Sequence, residues 1–301
     1  MMPVTPFAPP PLQRRRRLLP ALLVLAIAAG VAAAAPVHAA SWDDVLRPTA
    51  GPAQSIGGPA AGCIAGAARL PPDGIGYQAV RLSRHRNFGH PATVAFVERL
   101  GRRAASAGLA PFYVGDMGQP RGGPLPFGHG SHQSGLDVDI WFNLDPKPRL
   151  APDARESLDL PSMLLADYSG VDPKRFDRRQ VELLRFAATD PKVDRLFVNP
   201  TIKKALCMGV AGAGEGDRSW LRKVRPWRGH DEHFHVRLSC PVDSPNCQPQ
   251  APVPPGDGCD ASLDWWFRDG PPGPIPVSTV RPSAPPRPHL PAQCRMVLNG
   301  R

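Results

Sequence analysis

The sequence predicts an α+β domain, a small and mainly antiparallel sheet flanked by helices and by long disulfide-pinned loops. Two segments alternate strictly between apolar and polar residues, Gly135 to Trp141 and His233 to Leu238, as half-buried strands do. Two others carry apolar residues at helical spacing. The chain also holds 40 prolines and six cysteines in 301 residues, which calls for long irregular connections under covalent restraint.

Residues 1–39 read as a secretory signal peptide. A basic block, Arg14 to Arg17, precedes an apolar run from Leu18 to Ala35 and a small-residue site ending at Ala39. A retained anchor is the competing reading of that run. Loss of the four arginines lowers the formal charge from +10 to +6. That excess suits an anionic cell wall. It is too small and scattered for nucleic acid, and no recognition helix or stacking motif accompanies it. No second run of spanning length follows, so no membrane partner is expected after cleavage. Residues 40–301 read as one domain, and oligomeric state has no signature.

Residues 41–75, rich in Gly, Pro and Ala, suggest an extended lead-in. Pro91 to Ala107 is a helix, with Val94, Val97, Leu100 and Ala104 recurring on one side and Gly108 as its stop. Leu109 to Val114 reads as a strand, and Asp116 to Gly130 as a Gly/Pro-rich loop flanking a cleft at Gly122-Gly123. Arg178 to Ala188 is a helix with Val181, Leu184 and Phe186–Ala187 inward, and Arg195 to Asn199 a strand. The tail from 241 to 301 holds 15 prolines. Its Cys247, Cys259 and Cys294, with Cys240 just before it and Trp265, Trp266 and Phe267 inside it, indicate a wrap around the domain. An even cysteine count in an exported chain implies three disulfides, with fifteen connectivities possible. Cys240 and Cys247 form the easiest local bridge. The lack of a CxxC pair speaks against a thiolate zinc site.

Five of the nine histidines fall in two windows, His129-Gly-Ser-His132 and His230-Asp-Glu-His233-Phe-His235. One such residue would more simply be a hydrogen-bonded core histidine. Two clusters beside carboxylates point to metal. Asp137, Asp139 and Trp141 share one strand face, while Leu136, Val138 and Ile140 share the other. His233, His235 and Arg237 likewise oppose Phe234, Val236 and Leu238. Trp227 and Arg225 either line a cleft or pack at the surface.

The strings HGSHQSGLDVDIW (129–141) and WLRKVRPWRGHDEHFHVRLSCP (220–241) closely resemble the penicillin-insensitive murein endopeptidases. These are periplasmic zinc peptidases related to lysostaphin-type and D-Ala-D-Ala peptidases and to the hedgehog domain. The likeness extends to GYQAVRLSRHRNFGHP and VGDMGQPRGG and covers roughly residues 60–260. It implies one zinc ion held by His132, Asp139 and His235, with a fourth position open for water. Asp137 would then be a near-site residue. It implies hydrolysis of peptidoglycan cross-links, D-alanyl to meso-diaminopimelate, in the periplasm, without a serine acyl-enzyme for β-lactams to trap. It offers two candidates for the general base, His233 and Glu232. Strand alternation turns Glu232 away from the His233 face and favours His233. His129 and His230 would orient the water, stabilise the oxyanion or support the ligands. The resemblance also implies the pairs Cys63–Cys294, Cys207–Cys259 and Cys240–Cys247. Two rival readings remain, a D-Ala-D-Ala carboxypeptidase or dipeptidase and a zinc-stabilised wall-binding module without catalysis.

Overall fold

The computed structural model describes residues 41–273 and 289–300, so the expected leader lies outside the described residues. The stretch read as an extended lead-in is instead folded. β1 (Gln54–Gly58) and β2 (Ala61–Ala65) form a hairpin, followed by β3 (Ala68–Arg69), β4 (Asp73–Gly74), β5 (Tyr77–Ala79) and β6 (Phe88–Gly89). Alternation is illegible in strands this short and glycine-rich.

Helix α1 (Pro91–Ser106) begins where His90 accepts the Ala92 N–H at 3.1 Å and proline takes the first turn, and it ends before Gly108, at φ 77°. β7 (Phe112–Val114) and β8 (Asp137–Trp141) follow. Helix α2 (Arg178–Ala188) starts in a reciprocal cap between Asp177 and Gln180. Leu183 is buried on its inner face, while Phe186, expected inward, is only half-buried. β9 (Val193–Val198) leads into α3 (Pro200–Cys207), capped by Asn199, and then come β10 (Val224–Pro226), β11 (His233–Leu238), α4 (Ala261–Asp264) and α5 (Ala292–Leu298).

Seven strands form the main sheet in the order β10-β9-β11-β8-β7-β5-β4. The pairs β10–β9 and β5–β7 are parallel, and the remaining pairings are antiparallel. Val138, Ile140, Phe234 and Val236 are fully buried in one core with Phe96, Val97 and Leu100 of α1 and Leu183 and Leu184 of α2. Each such side chain contributes about 1.5–3 kcal/mol of burial. The helices therefore cover one face of β8 and β11 and leave the other for polar residues.

Cys63 of β2 is bonded to Cys294 of α5, Cys207 of α3 to Cys259, and Cys240 to Cys247. Between the bridges, basic side chains donate to main-chain carbonyls of the tail. Arg195 reaches Ala251, Arg222 reaches Val253 and Pro254, Lys203 reaches Asp257, and Arg121 reaches Leu298. A proline-rich segment has carbonyls to satisfy and few N–H groups to form a ladder. Among the described residues, no helix is long and apolar enough to cross a membrane.

Candidate metal centre

Register builds the centre. β8 and β11 pair antiparallel with His233 opposite Trp141, His235 opposite Asp139 and Arg237 opposite Asp137. Directly opposed residues point to the same face, so an alternating pattern on each strand becomes three facing polar pairs. The face is not half-open to water, as the alternation suggested. Asp137, Asp139, His235 and Arg237 are all buried.

His132 enters from the loop before β8. Its backbone is left-handed, at φ 65°, an uncommon state for a residue with a Cβ that the surroundings must enforce. Its N–H donates to Asp137 Oδ2 at 2.9 Å, and its Nδ1–H donates to the Met117 carbonyl at 2.5 Å. A carbonyl can only accept, so the ring proton sits on Nδ1 and the Nε2 lone pair faces Asp139 Oδ1 at 3.4 Å. His235 is arranged in mirror fashion. Its Nε2 lies 3.4 Å from Asp137 Oδ1, and its Nδ1 lies 3.2 Å from Asp139 Oδ1. Asp137 is itself committed to Arg237, at 2.7 and 2.9 Å. A carboxylate or carbonyl behind each imidazole is the usual support of a metal-binding histidine.

Two buried atoms at the convergence, His132 Nε2 and Asp139 Oδ1, have no hydrogen-bond partner among the described residues. Such atoms are costly unless something else satisfies them. The spacings of 3.2 and 3.4 Å from Asp139 Oδ1 also match the edge of a zinc tetrahedron, about 3.3 Å for bonds near 2.0 Å. The residues present therefore fit a small divalent cation. His129 joins the same convergence. Ligand atoms of His129, His132 and Asp139 lie within 4.8 Å of one another.

Burial opposes ionisation of Asp139, but His132, then His233 and His129, outweigh it and hold the carboxyl well below its ordinary range. Asp116 was not legible as a site residue. Its side chain is buried just beyond β7, and its Oδ2 meets Arg86 at 2.8 Å, His129 Nε2 at 3.2 Å and Arg84 at 3.3 Å. Against burial, His129 and Arg86 bring its pKa to about 2. One aspartate in a Gly/Pro-rich loop carries no periodic signal, so only the fold identifies it.

The remaining candidates ring the centre. His233 Nε2 is 3.7 Å from Asp139 Oδ1, and its ring leans on Trp141 with centroids 5.2 Å apart. Glu232 Oε1 lies 3.6 Å from His233 Nδ1, contrary to the alternation argument. Glu232 precedes β11, so strand geometry does not govern its side chain. Burial disfavours the imidazolium of His233, but Asp139 and then Glu232 raise its pKa. His230 sits 5.0 Å from the His233 ring and donates Nδ1–H to the Arg228 carbonyl. Burial first, then His233 and His235, push its pKa down to about 3.

Gly122 and Gly123 do not line a cleft. A Cβ would strike the Gln133 carbonyl at 2.0 Å at the first and the Trp42 indole at 2.1 Å at the second, so both are packing positions. Trp227 is half-exposed against Phe197, which in turn touches His235, whereas Arg225 reaches towards Gly258 of the tail.

Comparison with known proteins adds a consistent set of likenesses. A family profile described as penicillin-insensitive murein endopeptidase matches residues 55–299. A protein of that name from Haemophilus influenzae is 46% identical over 264 residues, 86% of this chain and 88% of the relative. Its namesake from Klebsiella pneumoniae is 43% identical over 276 residues, 92% of this chain and 97% of the relative. One from Yersinia enterocolitica is 46% identical over 255 residues, 84% and 91% of the two chains.

Proposed function

This chain belongs to the family of penicillin-insensitive murein endopeptidases, and from that premise we propose how it cuts its substrate. It is a peptidase of peptidoglycan. The bond proposed is the D-alanyl to meso-diaminopimelate cross-link, and the compartment proposed is the periplasm, reached through the leader at residues 1–39. Residues 40–301 act as one catalytic domain.

His132, Asp139 and His235 would hold one zinc ion through Nε2, Oδ1 and Nδ1. When bound, zinc would polarise the scissile carbonyl and lower the pKa of water towards about 7. The observation that carries this assignment is the pair of partnerless buried atoms, His132 Nε2 and Asp139 Oδ1, with His235 Nδ1 beside them.

His233 acts as the general base at Nε2, which faces the centre, and returns the proton to the leaving amine. Glu232 Oε1 stands 3.6 Å behind its Nδ1, where a carboxylate favours the imidazolium formed when the base takes a proton. Trp141 limits the tilt of the ring. His230 keeps its only proton on Nδ1, engaged with Arg228, which leaves Nε2 as an acceptor. That suits orienting water rather than holding an oxyanion. His129, whose Nε2 meets Asp116 at 3.2 Å, takes the oxyanion-stabilising role in this reading.

Digestion of defined cross-linked muropeptides, read by mass spectrometry with and without chelator, tests the reading. Scission of the cross-link that stops with chelator and returns with zinc is expected. Release of terminal D-alanine alone would favour the carboxypeptidase reading, which the contact between Glu232 and His233 keeps open. Binding to sacculi without any product would favour a wall-binding module.

A further inference from the structure

One cation beside the centre has no partner in this scheme. Arg81 follows β5 in a left-handed conformation, φ 56°, and its N–H is held by the Arg155 carbonyl at 3.0 Å. Its guanidinium lies over Trp141, with Cζ 4.8 Å from the ring centroid. The same indole touches His233. Arg81 is therefore one aromatic ring away from the proposed base.

No carboxylate answers it. Arg81 makes no ion pair and no side-chain hydrogen bond among the described residues. The acids nearest in electrostatic terms are already engaged. Asp116 meets Arg86, His129 and Arg84, Glu232 faces His233, and Asp139 faces the metal centre. Burial and Arg84 push the Arg81 pKa down, while Asp116, Glu232 and Asp139 push it up, so all three lie within its field. Residues 81–86 thus bring three guanidinium groups to one side of the centre, with Asp116 as their sole ion-pair partner among the described residues.

A half-buried guanidinium stacked on an indole is pre-oriented and partly stripped of water, which is how arginine recognises carboxylates. In a D-alanyl–diaminopimelate cross-link, the carbon bearing the scissile nitrogen also bears a free carboxylate. A terminal D-alanine presents the same group at the same position. We propose that Arg81, seated on Trp141, forms a carboxylate subsite for the residue on the leaving-group side of the scissile bond. This rests on reading the centre as a peptidase. It would make Arg81 a residue that selects substrate by charge, outside the metal shell and the proton relay.

The test uses a cross-linked dimer with that carboxyl either free or converted to carboxamide, cut by the full-length zinc enzyme. Amidation is expected to lower wild-type kcat/KM by about 10- to 100-fold, the worth of a charged hydrogen bond. Arg81→Gln should lose a similar factor on the free acid and little more on the amide, and Arg81→Lys should recover part of the loss. Equal losses on acid and amide in Arg81→Gln, or a wild type indifferent to amidation, would overturn the subsite and leave Arg81 as mere packing for Trp141. A pentapeptide with terminal D-alanine, as acid and amide, runs in parallel. If only the pentapeptide is cleaved, the cross-link reading fails while Arg81 is judged on the same ratio. If neither is cleaved, calorimetric binding of the two acids against the two amides decides the matter: tighter binding of the acids that Arg81→Gln abolishes supports the subsite, and equal binding overturns it.

Discussion

Across the β8–β11 ladder, five residue pairs stand opposite one another in register, and Asp137, Asp139, His235 and Arg237 face one another on its polar side. The tail beyond Pro241 has only two short helices and a 3-10 turn among its described residues, and it is held by disulfides and by arginine and lysine donors. The ladder fixes which side chains face one another through many weak contacts that agree. The tail needs only to stay attached, and a few strong tethers do that. Damage should differ accordingly. Changes in the ladder should abolish chemistry, and changes in the tail should lower stability with the chemistry intact.

The sharpest break is at the ligands. His132→Ala, Asp139→Ala and His235→Ala should each lose bound metal, measured by mass spectrometry of the ion, together with at least ~10³-fold of muropeptide cleavage. Retained metal with His235→Ala alone would shift the set to His129, His132 and Asp139. In the tail, replacing Cys63 and Cys294 by serine opens a loop of 231 residues and should cost about 5 kcal/mol in urea unfolding, with zinc content preserved.

Within the ladder, Arg237→Met strands the buried carboxylate of Asp137. A loss of about 3–5 kcal/mol is expected, and Asp137→Asn in the same chain should restore much of it. Opening Cys240–Cys247, seven residues apart, should cost only about 2 kcal/mol. An equal penalty for the long and short bridges would mean that the tail is held by contacts rather than by tethers.

The mildest test is a titration. Burial, reinforced by Arg225, brings the Lys203 pKa down to about 7 where it joins α3 to the tail carbonyl of Asp257. The unfolded chain then binds the extra proton between pH 7 and about 10.4, so stability rises with pH across that window and is lost as pH falls through 7. Unfolding free energies from urea titrations at pH 7 and 9 should differ by about 1–2 kcal/mol more in the native chain than in Lys203→Met.

Helix α2 occupies the residues that its apolar spacing marks, Arg178 to Ala188, and the two alternating segments are strands with the expected apolar faces inward. The hairpin of β1 and β2 was not legible, because short strands with glycines show no period. Glu232 comes within 3.6 Å of His233 Nδ1 because alternation ends with the strand. Asp116 went unread because a lone loop acid looks like any other, and Gly122 and Gly123 because tight packing and an open loop leave the same trace in composition.

Local pattern was enough to settle which residue types share a strand face, because backbone geometry imposes a period of two on any extended segment. Resemblance to a family supplied the expected cysteine pairs and the expected ligand set. The register that sets His235 against Asp139, the carbonyl of Met117 behind His132, and the company of arginines around Asp116 belong to the folded chain alone. They depend on contacts between residues far apart in sequence, and no local rule reports which distant partner the assembled core will bring within reach.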